Sequence, residues 1–107
     1  MYIAMNRFEI NLGFEEGFEN LWRGRKSRLN DVPGYQSFKL LRRESTEKHT
    51  LFASFTIWES EQHFKEWTES QNFRDAHSGT SAPKGTYVGH PNLELFDVVI
   101  EENNPGL

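Results

Sequence analysis

Three polar side chains stand where the hydropathy pattern around them calls for apolar ones. Asn6 alternates with Tyr2, Ala4, Phe8 and Ile10 on one face of a strand-like segment. A buried carboxamide without partners costs about 1–3 kcal/mol. Asn6 is therefore either a core amide bonded to its surroundings or a donor aimed at a ligand. Arg25 falls in the apolar stripe of a helical segment, between Leu21 and Leu29. A guanidinium there either snorkels to water near a helix C-terminus or receives an anion at a pocket mouth. His77 shares a helical face with Phe73 and stands just before a long loop. Its imidazole is either structural or, when neutral, a ligand for a metal or a haem iron.

The other candidates are weaker. His49, His63 and His90 fall in a turn, an exposed helix and a loop, and none stands at metal-ligand spacing from another, which argues against zinc. Trp67 lies near Phe64 on a second helix, where core packing alone accounts for a Trp. There is no glycine-rich phosphate loop after a strand, no G-x-S-x-G and no H-E-x-x-H. Without an ionisable cluster, acid–base or nucleophilic catalysis has little to stand on.

The elements that must position these residues follow from periodicity. Residues Tyr2 to Leu12 read as a strand. Phe14 to Leu29 read as a helix whose stripe holds Phe14, Phe18, Leu21, Trp22, Arg25 and Leu29. Gly17 and Gly24 weaken that helix by about 1 kcal/mol each relative to Ala. Val32-Pro33-Gly34 is a turn signal. Tyr35 to Arg43 and His49 to Trp58 read as the two strands of a hairpin. Ser60 is a suitable N-cap for a helix running to about Glu69. Phe73 to His77 fits one further helical turn, and Ser78 to Pro91 a long loop. Asn92 to Glu101 reads as a last strand, and 102–107 as a frayed tail.

The order β-α-β-β-α-β is the ferredoxin-like α+β plan, an antiparallel sheet with both helices on one face. The third and fourth strands are apolar on both faces: Leu51, Ala53, Phe55 and Ile57 against Phe52 and Trp58, then Leu93, Leu95 and Val99 against Phe96, Val98 and Ile100. A sheet apolar on both sides with helices on one side implies a partner, most simply a second copy packed sheet to sheet.

Composition bounds the function. The 107 residues make a single domain, residues 1–107, with 36% hydrophobic and 14% aromatic residues. So many rings beside so few aliphatics suggest a core or pocket built from flat side chains. With no cysteine, disulfides, thiolate metal sites and Cys nucleophiles are excluded. A net charge of −4 does not favour nucleic acid. The apolar runs are too short for a membrane span, and the start of the chain shows no signal peptide. A soluble cytoplasmic protein is the expectation.

The segment Phe55-Thr56-Ile57-Trp58-Glu59-Ser60-Glu61-Gln62-His63-Phe64-Lys65-Glu66-Trp67, with Pro33-Gly34-Tyr35, resembles the antibiotic biosynthesis monooxygenase superfamily of small dimeric ferredoxin-like proteins. Within it, Asn6 early in the first strand, Trp67 in the second helix and His77 ten residues later resemble the IsdG-type haem-degrading monooxygenases. The resemblance implies a dimeric α+β barrel in which haem is both substrate and cofactor. It implies that His77 ligates the iron from the proximal side. It assigns Asn6 a hydrogen bond near the distal oxygen site, and Trp67 pressure on the porphyrin that supports ruffling. Arg25 matches a helix-one arginine associated with the haem pocket in some members. Phe64 and Trp22 join the aromatic lining, and Arg25 suits the haem carboxylates. Dioxygen and an external electron donor complete the implied reaction. The other readings are a cofactor-free monooxygenase of a quinol or polyphenol, with His77 a base or bystander, and a non-catalytic haem-binding protein.

Overall fold

The computed structural model describes residues 1–25, 29–71, 73 and 82–106. His77 and all but Phe73 of the expected helical turn at 73–77 lie outside the described residues. The elements are β1 (Tyr2–Asn11), α1 (Glu15–Arg23), a short 3-10 turn (Leu29–Asp31), β2 (Tyr35–Arg42), β3 (His49–Trp58), α2 (Glu61–Thr68) and β4 (Asn92–Asp97). The strands form one four-stranded antiparallel sheet in the order β2-β3-β1-β4, the ferredoxin-like arrangement. Among the described residues no helix is long and apolar enough to cross a membrane.

Local chemistry sets the element ends. Ser60 caps α2 from an extended conformation, its hydroxyl accepting the His63 backbone N–H at 3.2 Å. The helix expected over Phe14–Leu29 is shorter. It stops at Arg23, where Gly24 has the lowest helix propensity short of proline and Arg25 N–H turns back to Trp22 C=O at 3.3 Å. Arg25 thus lies just past the helix, and Leu29 opens the 3-10 turn. The last strand, expected to reach Glu101, ends at Asp97. Beyond it, Val98 N–H bonds Met1 C=O at 3.0 Å. Val99 and Ile100 stand exposed beyond it.

The loop before β4 is not wholly irregular. β4 pairs with residues Tyr2 to Arg7, which leaves the far end of β1 open. Residues 86–88 take that edge: Asn11 N–H bonds Thr86 C=O and Val88 N–H bonds Glu9 C=O, both at 2.9 Å, with Tyr87 bridged to Ile10.

Both helices pack on the sheet face that carries Tyr2, Ala4, Phe8 and Ile10, in two clusters of buried residues that touch where Trp22 stacks on Phe38 at 5.5 Å. The α2 side gathers Tyr2, Ala4, Leu29, Val32, Trp58, Phe64 and Trp67. The α1 side gathers Phe8, Ile10, Phe18 and Phe52, with Trp22 and Leu40 against them. Asn6, midway between Ala4 and Phe8, belongs to neither. The opposite face shows Ile3 and Met5 of β1 beside Phe55 and Ile57 of β3, all half-buried, with Leu41 and Phe96 exposed at its margins.

Candidate functional site

Asn6 stands at the seam between the two clusters, Arg25 stands on its α1 side, and His77 lies outside the described residues. Asn6 pairs with Ser54 of β3 on one side and Leu93 of β4 on the other. Its Oδ1 is buried with no hydrogen-bond partner among the described residues. A strand interior normally leaves no such atom unsatisfied, and the cost is about 1–3 kcal/mol. The threonine hydroxyls on the same face are used within the fold. Thr56 donates to Ala4 C=O at 3.2 Å and accepts the Trp58 indole N–H at 3.0 Å. Thr50 donates to Glu15 Oε2 at 2.7 Å and lies 2.6 Å from the Ser45 hydroxyl.

Arg25 borders the seam on the α1 side. Its guanidinium carbon lies 4.3 Å from the Trp22 ring centroid and 5.8 Å from that of Phe38. The two rings are stacked on each other at 5.5 Å. Trp22 in turn meets Phe8, the residue next to Asn6 on the face, at 5.8 Å. Nearby Arg23 and Arg42 both pair with Glu19. Arg25 is half-buried and forms no ion pair with any described residue, and its burial pulls the guanidinium pKa below its ordinary value. Cation–π contact offsets part of that cost. A half-buried cation with no anion beside it among the described residues is suited to a ligand's anion.

The two α2 residues expected at the site are core residues on its other side. Trp67 packs on Trp58 at 5.2 Å and edge-on to Phe73 at 4.8 Å. Phe64 packs between Tyr2 at 5.9 Å and Trp58 at 5.8 Å. The structure therefore places Asn6 at the seam, Arg25 and Trp22 beside it, and Trp67 and Phe64 in the wall behind.

The remaining histidines are elsewhere. His63 is half-buried rather than exposed. Its Nδ1 lies 2.7 Å from the Ser60 hydroxyl, and its ring covers Gly34, whose φ is +82°. His49 opens β3. With His90, Arg7, Glu9 and Arg43 it lines a polar cleft of about 420 Å³ on the sheet face away from the helices. Its Nδ1 lies 3.7 Å from Glu9 Oε2. Among the described residues no three His, Asp or Glu side chains are grouped to hold a metal.

Three residues were not anticipated at the site. Leu93, opposite Asn6, and Leu95, opposite Ala4, are on the helix-side face yet 56% and 44% exposed, an open apolar rim to the seam. Tyr87 lays its half-exposed ring 6.2 Å from Phe8 and 5.9 Å from Phe18, and burial raises its phenol pKa. Period-two alternation in 92–97 marks both leucines. A lone ring in a glycine-rich loop is the only sign of Tyr87.

Known proteins carry the same frame. The profile of the antibiotic biosynthesis monooxygenase family matches residues 1–79. A staphylobilin-producing haem oxygenase of Staphylococcus saprophyticus is 27% identical over 84 residues, 78% of this chain and 80% of that one. A haem-degrading monooxygenase of Halalkalibacterium halodurans is 28% identical over 100 residues, 94% and 84% of the two chains. The haem degrader MhuD of Mycobacterium tuberculosis, solved with two haems in its active site, superposes with a TM-score of 0.77. It covers 96% of this chain and 100% of its own at 23% identity, a likeness of fold.

Proposed function

The chain belongs to the antibiotic biosynthesis monooxygenase family, and from that premise we propose that it is a haem-degrading monooxygenase, opening the porphyrin ring oxidatively and releasing its iron. One observation carries the reading. The helix-side core divides at Asn6, whose buried Oδ1 has no partner among the described residues. The walls of that division are rings: Trp22 and Phe8 on one side, the Trp58–Phe64–Trp67 cluster on the other. A flat, mostly apolar macrocycle matches such walls, and its carboxylates match Arg25 through charge-assisted hydrogen bonds.

In this reading haem supplies the dioxygen chemistry and is itself the substrate, with electrons from an external donor. The protein binds, orients and dries the site. Asn6 presents its carboxamide to the polar group under the macrocycle. Trp67, immobilised by Trp58 and Phe73, is a rigid wall against which the macrocycle is bent. Arg25 holds the carboxylate edge beside Trp22. His77 is proposed as the iron's protein ligand, since it alone of the four histidines follows Trp67 at the family's spacing. Two copies pack through the helix-free sheet face.

The test is an absorption titration with haemin, followed by ascorbate in air. Wild type should give a Soret band that bleaches as an open-chain tetrapyrrole forms. His77→Ala should lose both the band and its bleaching, and His90→Ala should keep them. The family also includes cofactor-free oxygenases. No band at all would favour such chemistry on a quinol or polyphenol, and a stable band would favour a haem carrier.

A further inference from the structure

One polar residue of the helix-side face has been left without work. On the two central strands that face carries four uncharged polar side chains: Asn6, Thr50, Ser54 and Thr56. Thr50 and Thr56 spend their hydroxyls within the fold. Asn6 leaves Oδ1 unsatisfied, and the Ser54 hydroxyl makes no hydrogen bond among the described residues. These two idle groups are direct partners in the β1–β3 register. Their row runs across all four strands as Leu40, Ser54, Asn6 and Leu93, a polar centre between two leucines. The neighbouring rows put Thr56 beside Ala4 and Phe52 beside Phe8, each buried in one of the two cores. The idle pair therefore lies between the rows that the two clusters bury.

We infer that Ser54 is a second ligand-contacting residue of the site, its hydroxyl forming with the Asn6 carboxamide a two-group polar floor for a small polar group held beneath the flat ligand. The inference rests on the haem reading above. A carboxamide and a hydroxyl differ in reach and can each donate and accept, so the pair can hold both ends of a diatomic or triatomic group. Size matters as well as polarity. Serine adds only one heavy atom beyond Cβ, and a bulkier side chain at the same place would fill the gap that the ligand needs.

Two variants separate the hydroxyl from the space. Ser54→Ala removes the donor and keeps the shape. Ser54→Val fills the space with a residue that strands favour, so folding is retained and is checked by far-UV circular dichroism and a thermal melt. The readouts are haemin affinity and the affinity of azide for the ferric haem complex, neither of which needs turnover. Ser54→Ala should bind haemin within about twofold of wild type and bind azide at least about fivefold more weakly. Ser54→Val should lose at least about tenfold in haemin affinity. If wild type binds haemin and azide and Ser54→Ala matches it in both, Ser54 does not touch the ligand and the inference fails while the haem reading stands. If wild type takes up no haemin, both fail together.

Discussion

At Asn6 the sequence and the structure make the same statement: a carboxamide sits where its strand calls for an apolar side chain. That conflict was legible because β-strand alternation is strict, and burial of Tyr2, Ala4, Phe8 and Ile10 around it follows directly. Arg25 was legible as an odd residue in an apolar stripe, although its true position is one residue past the helix cap. Ser54 was not legible, because a serine in a strand breaks no rule until its neighbours' hydrogen bonds are known. The same holds for Glu15, which looks like an ordinary first-turn acid. It accepts from the Thr50 hydroxyl at 2.7 Å and from Gly13 N–H at 2.8 Å, tying α1 to the start of β3. The Thr50 bond first, then backbone N–H groups and Arg42, hold its carboxyl below the ordinary value of 4.5. A carboxylate with a lowered native pKa contributes stability above its unfolded value and loses it as pH falls through the native one. Wild type should therefore be more stable than Glu15→Gln at neutral pH, and the gap should close below about pH 4.5. Urea melts across that range measure it, and a gap independent of pH would show that the bond does not depend on the charge.

Element boundaries were read well where side-chain signals are local. His49–Trp58 and the Ser60 cap are as expected from β-branched content and a serine before the helix. They were misread where the cause is remote. The pairing of residues 86–88 depends on how much of β1 the last strand leaves open. The junction of β2 with α2 is another contact that pattern does not reveal. Gly34 takes a φ of +82°, and a Cβ there would overlap the His63 ring that caps α2 with Ser60. Gly34→Ala should cost about 1–2 kcal/mol from the left-handed backbone alone, plus the displacement of His63. Adding His63→Ala should restore the steric part and leave the backbone part. Equilibrium denaturation of the two single variants and the double variant gives the coupling, and strict additivity would rule out the ring contact. Because α2 carries Phe64 and Trp67, the wall of the site depends on this one glycine.

For the whole molecule, the two-sided apolar sheet was visible in the alternation of the third strand, and the structure leaves Ile3, Met5, Phe55 and Ile57 with no helix over them among the described residues. Leu41 and Phe96 add exposed surface at 42% and 45%. A patch of this kind is rarely left to water. The polar cleft with Arg7, His49 and His90 confines it to one end of the face. Sedimentation at micromolar concentration should give twice the 12.6 kDa chain mass, and Phe55→Glu should give a folded monomer. A wild-type monomer would mean that this face is covered in another way. The most direct measurement is the rate of haem loss in air with ascorbate for Asn6→Ala against wild type, each first titrated with haemin. If the seam holds haem with Asn6 facing the reacting side, the variant keeps its Soret band and haemin affinity while degradation slows at least tenfold, a loss of about 1.4 kcal/mol or more of transition-state stabilisation. Unchanged degradation by a variant that binds haemin normally would contradict it, and would return Asn6 to the role of a packing residue in the sheet.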